Sequence, residues 1–113
     1  MKHIIAYIKP HKLNSVTMAL REIEGLSGMT ILDVRGCGRG FCGDEPRPVE
    51  VDLYDFIKHV KIEVFCVDGM VEKVVSTMLE KAHTGLKGDG KIYITGCEDA
   101  IRISTGERGE EAV

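Results

Sequence analysis

The chain has 113 residues, 43% of them hydrophobic, with no tryptophan and a formal net charge of −3. That length suits one domain, 1–113, with a small core that oligomerisation would help to cover. Mixed, slightly acidic charge excludes a non-specific nucleic-acid binder, which needs a basic face, and no apolar run reaches the ~20 residues of a membrane-spanning helix. Without a secretory pattern at Met1-Lys2-His3-Ile4, a cytoplasmic protein is expected. Its four cysteines (Cys37, Cys42, Cys66, Cys97) then read as thiols rather than a disulfide framework.

Ile4 to Ile8, ending at Lys9-Pro10, predicts a buried strand. Leu13, Val16, Leu20 and Ile23 recur at helical spacing, and Gly25 and Gly28 stop that helix. Met29 to Val34, rich in branched residues, predicts a second strand. Gly36 to Ile57 is broken by glycine and proline and is too long for a passive connection, which marks a functional or disordered loop. Val60 to Val67 predicts a strand with Ile62, Val64 and Cys66 on one face. Asp68 is placed to cap a helix whose apolar positions are Val71, Val74, Val75, Met78, Leu79 and Ala82. Lys91 to Thr95 and Ala100 to Ile103 read as the last strands. A shift of 58 positions lays Ile4 on Ile62, Ala6 on Val64, Leu13 on Val71, Val16 on Val74 and Leu20 on Met78. Two β-α-β units in one small domain predict an α+β, ferredoxin-like double β-α-β sandwich with both helices on one face of an antiparallel sheet.

The richest local signal is Thr84-Gly85-Leu86-Lys87-Gly88-Asp89-Gly90-Lys91-Ile92. Three glycines let backbone N–H groups approach a ligand, and two lysines favour an anion such as phosphate. The spacing from Gly85 to Gly90-Lys91 matches a P-loop, but Ile92 replaces the magnesium-binding Ser or Thr, and the flanking helix and strand are in reversed order. A nucleotide or phosphate site fits this stretch, and so does an ordinary glycine-rich turn.

Ile8-Lys9-Pro10, Lys12-Leu13, Gly28-Met29-Thr30, Gly36-Cys37-Gly38-Arg39, Val60-Lys61-Ile62-Glu63, the glycine loop, Ile101-Arg102-Ile103 and Thr105-Gly106-Glu107 occur in an order that resembles the PII signalling proteins, the nitrogen-regulatory P-II family. The resemblance implies a compact homotrimer that binds ATP or ADP, with magnesium accompanying ATP, in clefts between subunits. It also implies a regulator of a target protein such as a transporter or metabolic enzyme. By the same resemblance 36–57 is the T-loop that docks on the target, 84–91 the phosphate loop, and 102–113 a C-terminal loop and tail. Carried over residue by residue, Thr30 contacts the adenine side. Gly38 and Arg39 lie on the phosphate side, Gly88, Asp89 and Gly90 offer amides, Lys91 supplies charge, and Arg102 reaches a phosphate.

Several positions depart from the family pattern. Gly40 stands where nitrogen-sensing members carry a glutamine that helps hold 2-oxoglutarate. Asp52 replaces the uridylylated tyrosine, with Tyr54 nearby. His59 replaces a lysine and Ser104 an arginine. Losing two cations weakens attraction for a γ-phosphate most, so ADP or AMP should compete better against ATP. His59 also brings a group that titrates near neutral pH. No nucleophile–base–orienter set supports dedicated catalysis; His83 at a helix end suits a cap. Two other readings stay open. Cys37 and Cys42 could form a disulfide or bind a soft metal, although Cys37 also fits an apolar strand end. Alternatively, the loop could dock a partner constitutively through Phe41, Leu53, Tyr54 and Phe56.

Overall fold

The alternating side chains of Lys2–Ile8 put Ile4, Ala6 and Ile8 on one face, all buried, and leave Ile5 and Tyr7 partly exposed on the other. This strand, β1, sits inside the sheet. The computed structural model describes residues 1–38 and 56–113. The elements run β1, α1 (Leu13–Arg21), β2 (Thr30–Gly36), β3 (Ile57–Cys66), α2 (Val71–Ala82) and β4 (Lys91–Gly96), with single 3-10 turns at Pro10–Lys12, Asp68–Met70 and Gly109–Ala112. The sheet order is β2-β3-β1-β4, antiparallel throughout. This is the ferredoxin-like arrangement expected. Among the described residues no helix is long and apolar enough to cross a membrane.

Both helices cover the same face. Val16 and Leu20 of α1 meet Val74 and Met78 of α2 over Ile4, Ala6, Ile62 and Val64, and these eight are fully buried. The 58-residue shift is thus a physical repeat, because it also lays the 3-10 turn at Pro10–Lys12 on that at Asp68–Met70. The helical stripe is narrower than expected in one place, since Leu79 is 60% exposed.

Three further expectations need correction. The edge strand β2 runs to Gly36 and β3 starts at Ile57, so both residues expected to bound the long loop lie in the sheet. No strand forms over 100–103. Asp99 instead gathers that segment into a small closed loop, accepting hydrogen bonds from the Ala100 N–H at 2.9 Å and Arg108 Nε at 2.9 Å, with one bridge between Ile101 and Arg108. Asp68 caps no helix, because its carboxylate pairs with the N-terminal ammonium of Met1 at 2.9 Å.

Leu20→Ala should lower stability by about 2–5 kcal/mol through the cavity it leaves. Met18→Ala, at a position 65% exposed, should change it by no more than about 0.5 kcal/mol. Urea midpoints of the two variants check the difference.

Candidate functional site

The glycine loop leaves α2 at His83, whose N–H bonds back to the Leu79 carbonyl at 3.3 Å, and returns to the sheet at Lys91. A carboxylate shapes it. Asp89 accepts the Thr84 N–H at 2.9 Å and the Thr84 hydroxyl. Lys9 Nζ lies 3.2 Å from the same carboxylate and donates to Thr84 Oγ1 at 3.1 Å. The Thr84 hydrogen bonds first, and the Lys9 ammonium after them, hold the Asp89 carboxyl far below the usual carboxylate range. His83, the expected cap, stands exposed with Nδ1 3.4 Å from Asp89.

Gly90 is constrained differently. Its φ is +100°, and a Cβ there would fall 1.7 Å from the Tyr7 carbonyl oxygen. Only glycine lets the loop cross β1 so closely. Gly85 and Gly88 also take positive φ, +79° and +83°.

This crossing opens a cavity of about 640 Å³ between the loop and the ends of β2 and β3. Gly38, Gly88, Asp89, Gly90 and Lys91 all line it, so five of the residues singled out in the sequence come together, joined by Lys87 and His59. Among the described residues Asp89 is the one carboxylate in its wall, and that charge is already engaged by Lys9 and Thr84. The two lysines therefore set a positive field in the cavity, suited to an anion.

Thr30 is not part of that cavity. It opens β2, opposite Glu63 of β3, and lines a second hollow of about 410 Å³ with Met29, Phe65, Ala112 and Val113. Its walls mix apolar Met29, Phe65 and Ala112 with the polar side chains of Ser27, Thr30 and Glu63. Lys61 bonds to Glu63 at 2.5 Å and holds its carboxyl below the ordinary value, with His3 adding a weaker pull. The His3 ring stacks on Phe65, centroids 4.3 Å apart. Thr30 and Gly36 are the two ends of β2, six strand steps or about 20 Å apart. One chain therefore cannot close both hollows round one small ligand. Arg102 is held within its own tail, donating to Glu107 Oε2 at 2.7 Å and to the Glu111 carbonyl at 2.9 Å.

Arg39, Gly40, Phe41, Cys42, Asp52, Leu53 and Tyr54 lie outside the described residues. Cys37 is exposed and disulfide-bonded, which corrects the expectations of a thiol and of an apolar strand end. Cys66 and Cys97 are free, with Cys66 in the core. Among the described residues no three His, Cys, Asp or Glu side chains gather as metal ligands. Sequence reasoning gave no role to Lys9 or Phe65. Lys9 carried a weak signal, as a cation directly after a buried strand; Phe65 stood out only as a large ring on the polar face of β3.

A family model described as nitrogen regulatory protein P-II matches residues 1–107. Proteins called nitrogen regulatory protein P-II from Azospirillum brasilense and Haemophilus influenzae are 42% and 45% identical over 113 residues, each with full coverage of both chains. One called nitrogen regulatory protein P-II 2 from Methanothermobacter thermautotrophicus is 43% identical over all of this chain and 97% of its own. The solved structure of Arabidopsis thaliana PII bound to citrate superposes with a TM-score of 0.79 at 37% identity, covering 99% of this chain and 91% of that one. Sequence and topology together define a ferredoxin-like signalling domain and not an enzyme. The chain belongs to the nitrogen regulatory protein P-II family.

Two outcomes check the loop. Gly90→Ala combines backbone overlap with positive φ and should cost more than about 2 kcal/mol. Gly85→Ala, with nothing within 4 Å of its Cβ, should cost only about 1–2 kcal/mol for the left-handed backbone; thermal unfolding separates them. Asp89, depressed below 3.8 in the folded chain, contributes stability that is complete above 3.8 and is lost as pH falls through its lower folded value. Amide resonances of the loop should therefore stay native at pH 5 and disperse only in stronger acid.

Proposed function

We propose that this chain is a trimeric signalling protein that binds ATP or ADP between neighbouring copies and regulates a target protein through the segment joining β2 to β3. The observation that carries this reading is the pair of complementary hollows. The larger cavity has glycine backbone and lysine charge suited to phosphates. The other sets the Met29 and Phe65 side chains beside two hydroxyls (Ser27 and Thr30) and the Glu63 carboxylate, a mixed lining suited to a heteroaromatic base. Because they stand at opposite ends of β2, a nucleotide that uses both takes its base site from one copy and its phosphate site from the next. Magnesium accompanying ATP would be held chiefly by phosphate oxygens and water. The target, a transporter or a metabolic enzyme, is reached through the loop that follows Gly36.

With one fewer cation at His59 and another lost at Ser104, ADP or AMP competes better against ATP than in nitrogen-sensing members. Citrate bound to the Arabidopsis protein keeps small carboxylates among the ligands worth titrating. A second, thiol-responsive reading is favoured by one observation: the disulfide-bonded Cys37 lines the same cavity. Reduction should then change nucleotide affinity, and an unchanged affinity removes it.

Calorimetric titration of ADP and ATP should give saturable binding that 2-oxoglutarate leaves unaltered. Lys91→Ala should weaken it about tenfold or more, or ~1.4 kcal/mol, and light scattering should give three chains per particle. A monomer, or equal binding by wild type and Lys91→Ala, overturns the reading.

A further inference from the structure

His59 lies on β3 opposite Val34 of β2 and lines the phosphate-suited cavity as well as a further hollow of about 510 Å³ with Asp33, Arg35 and Lys58. Its Nε2 stands 3.3 Å from the Gly88 carbonyl oxygen and its Nδ1 3.4 Å from the Ile57 carbonyl oxygen, both at the long end of the hydrogen-bonding range. Carbonyl oxygens only accept, and a neutral imidazole has a single N–H. The neutral ring can therefore serve one of these two oxygens; the imidazolium serves both. We propose that His59 is a positioning residue for the glycine loop, tying the Gly88 carbonyl to β3 as an imidazolium and so setting the loop's affinity for an anion.

The leverage lies in the peptide plane. In a trans peptide the C=O and the following N–H point in opposite directions, so fixing the Gly88 carbonyl fixes the direction of the Asp89 N–H. At φ +83° Gly88 itself sets little preference, and the contact from β3 decides.

The charged and titratable groups around the ring come from every neighbouring strand. Lys87, Asp89 and Lys91 face it from the loop and the start of β4, Tyr7 from β1 and Tyr93 from β4. Asp33 and Arg35 flank it on β2, and Lys58 precedes it on β3. Asp89 is engaged by Lys9 and Thr84. An anion in the cavity therefore favours the imidazolium, and by reciprocity the imidazolium favours the anion. Protonation gives the ring its second N–H and its positive charge together, so affinity rises as pH falls.

The anion arm rests on the nucleotide reading; the loop arm does not. Without ligand, the Asp89 amide resonance should titrate together with the His59 ring signals in wild type and show no such inflection in His59→Gln. With ADP, wild type should gain about fivefold in affinity from pH 8 to pH 6 beyond the change in His59→Gln, whose own slope reports the phosphate and the remaining groups. His59→Lys, a permanent cation, should bind tightly at both pH values. An Asp89 amide that titrates with His59 in a chain that binds no ADP would sink the nucleotide reading and uphold the positioning role. Identical pH profiles for wild type and His59→Gln in both readouts would overturn the proposal.

Discussion

The rest of the site depends on one close contact, the passage of Gly90 over the Tyr7 carbonyl. A Cβ at 1.7 Å from that oxygen has no arrangement available to it, so the loop crosses the end of β1 at this residue or not at all. Lys91 then pairs with Tyr7 and β4 follows in register as far as Gly96 beside Lys2. The crossing holds the cavity against the ends of β2 and β3. Asp89, one residue earlier, keeps the loop in that path: it bonds Thr84 on the loop's outgoing limb and Lys9 at the exit of β1. Charge-assisted bonds of this kind exceed neutral ones in strength. They also remove from the cavity the single negative charge in its described wall.

The repeat within the chain explains why so small a domain has a well-defined core. Each half contributes a strand with one buried parity (Ile4, Ala6 and Ile8 in the first; Val60, Ile62, Val64 and Cys66 in the second), a proline- or glycine-bearing 3-10 turn, and a helix whose buried residues recur one turn apart. Helices on one face complete that core and leave the other face to the polar parity of the same strands. Phe65, Tyr93, Ile31 and Leu32 remain substantially exposed on a single chain. Exposed apolar side chains on open strands are a surface that association would cover.

Strand parity and helical spacing made the core legible residue by residue: Ile4, Ala6, Val16, Leu20, Ile62, Val64, Val74 and Met78 were all placed from the sequence and are all fully buried. The glycine loop was legible for a related reason, since positive φ and close approach restrict residue choice locally. What escaped was decided by distant partners. Asp68 looked like a cap but meets the N-terminal ammonium, sixty-odd residues away in sequence. The segment after Cys97 had strand-like composition, yet Asp99 and Arg108 close it on itself. Phe65 reads as surface by parity and proves to be a wall of the smaller hollow through its place beside Thr30 and the tail. That Thr30 and Gly38 belong to separate hollows follows from the length of β2, a boundary that composition sets only loosely.

In the proposed reading, that separation is what makes the site informative. Both hollows are built on β2 and β3, one at the start of β2 and the other where the two strands run out at Gly36 and Ile57. A ligand can shift the intervening segment only by contacting one of its arrangements better than another. Gly36, Cys37, Gly38, Ile57 and His59 all lie in the wall of the larger cavity, so an anion there touches both roots of that segment at once. Half-occupancy, with a base but no phosphate, would leave those roots untouched. The signal therefore depends on how far the phosphate end of the ligand reaches, and the charge at His59 and the lysines of the glycine loop decides whether it is held there.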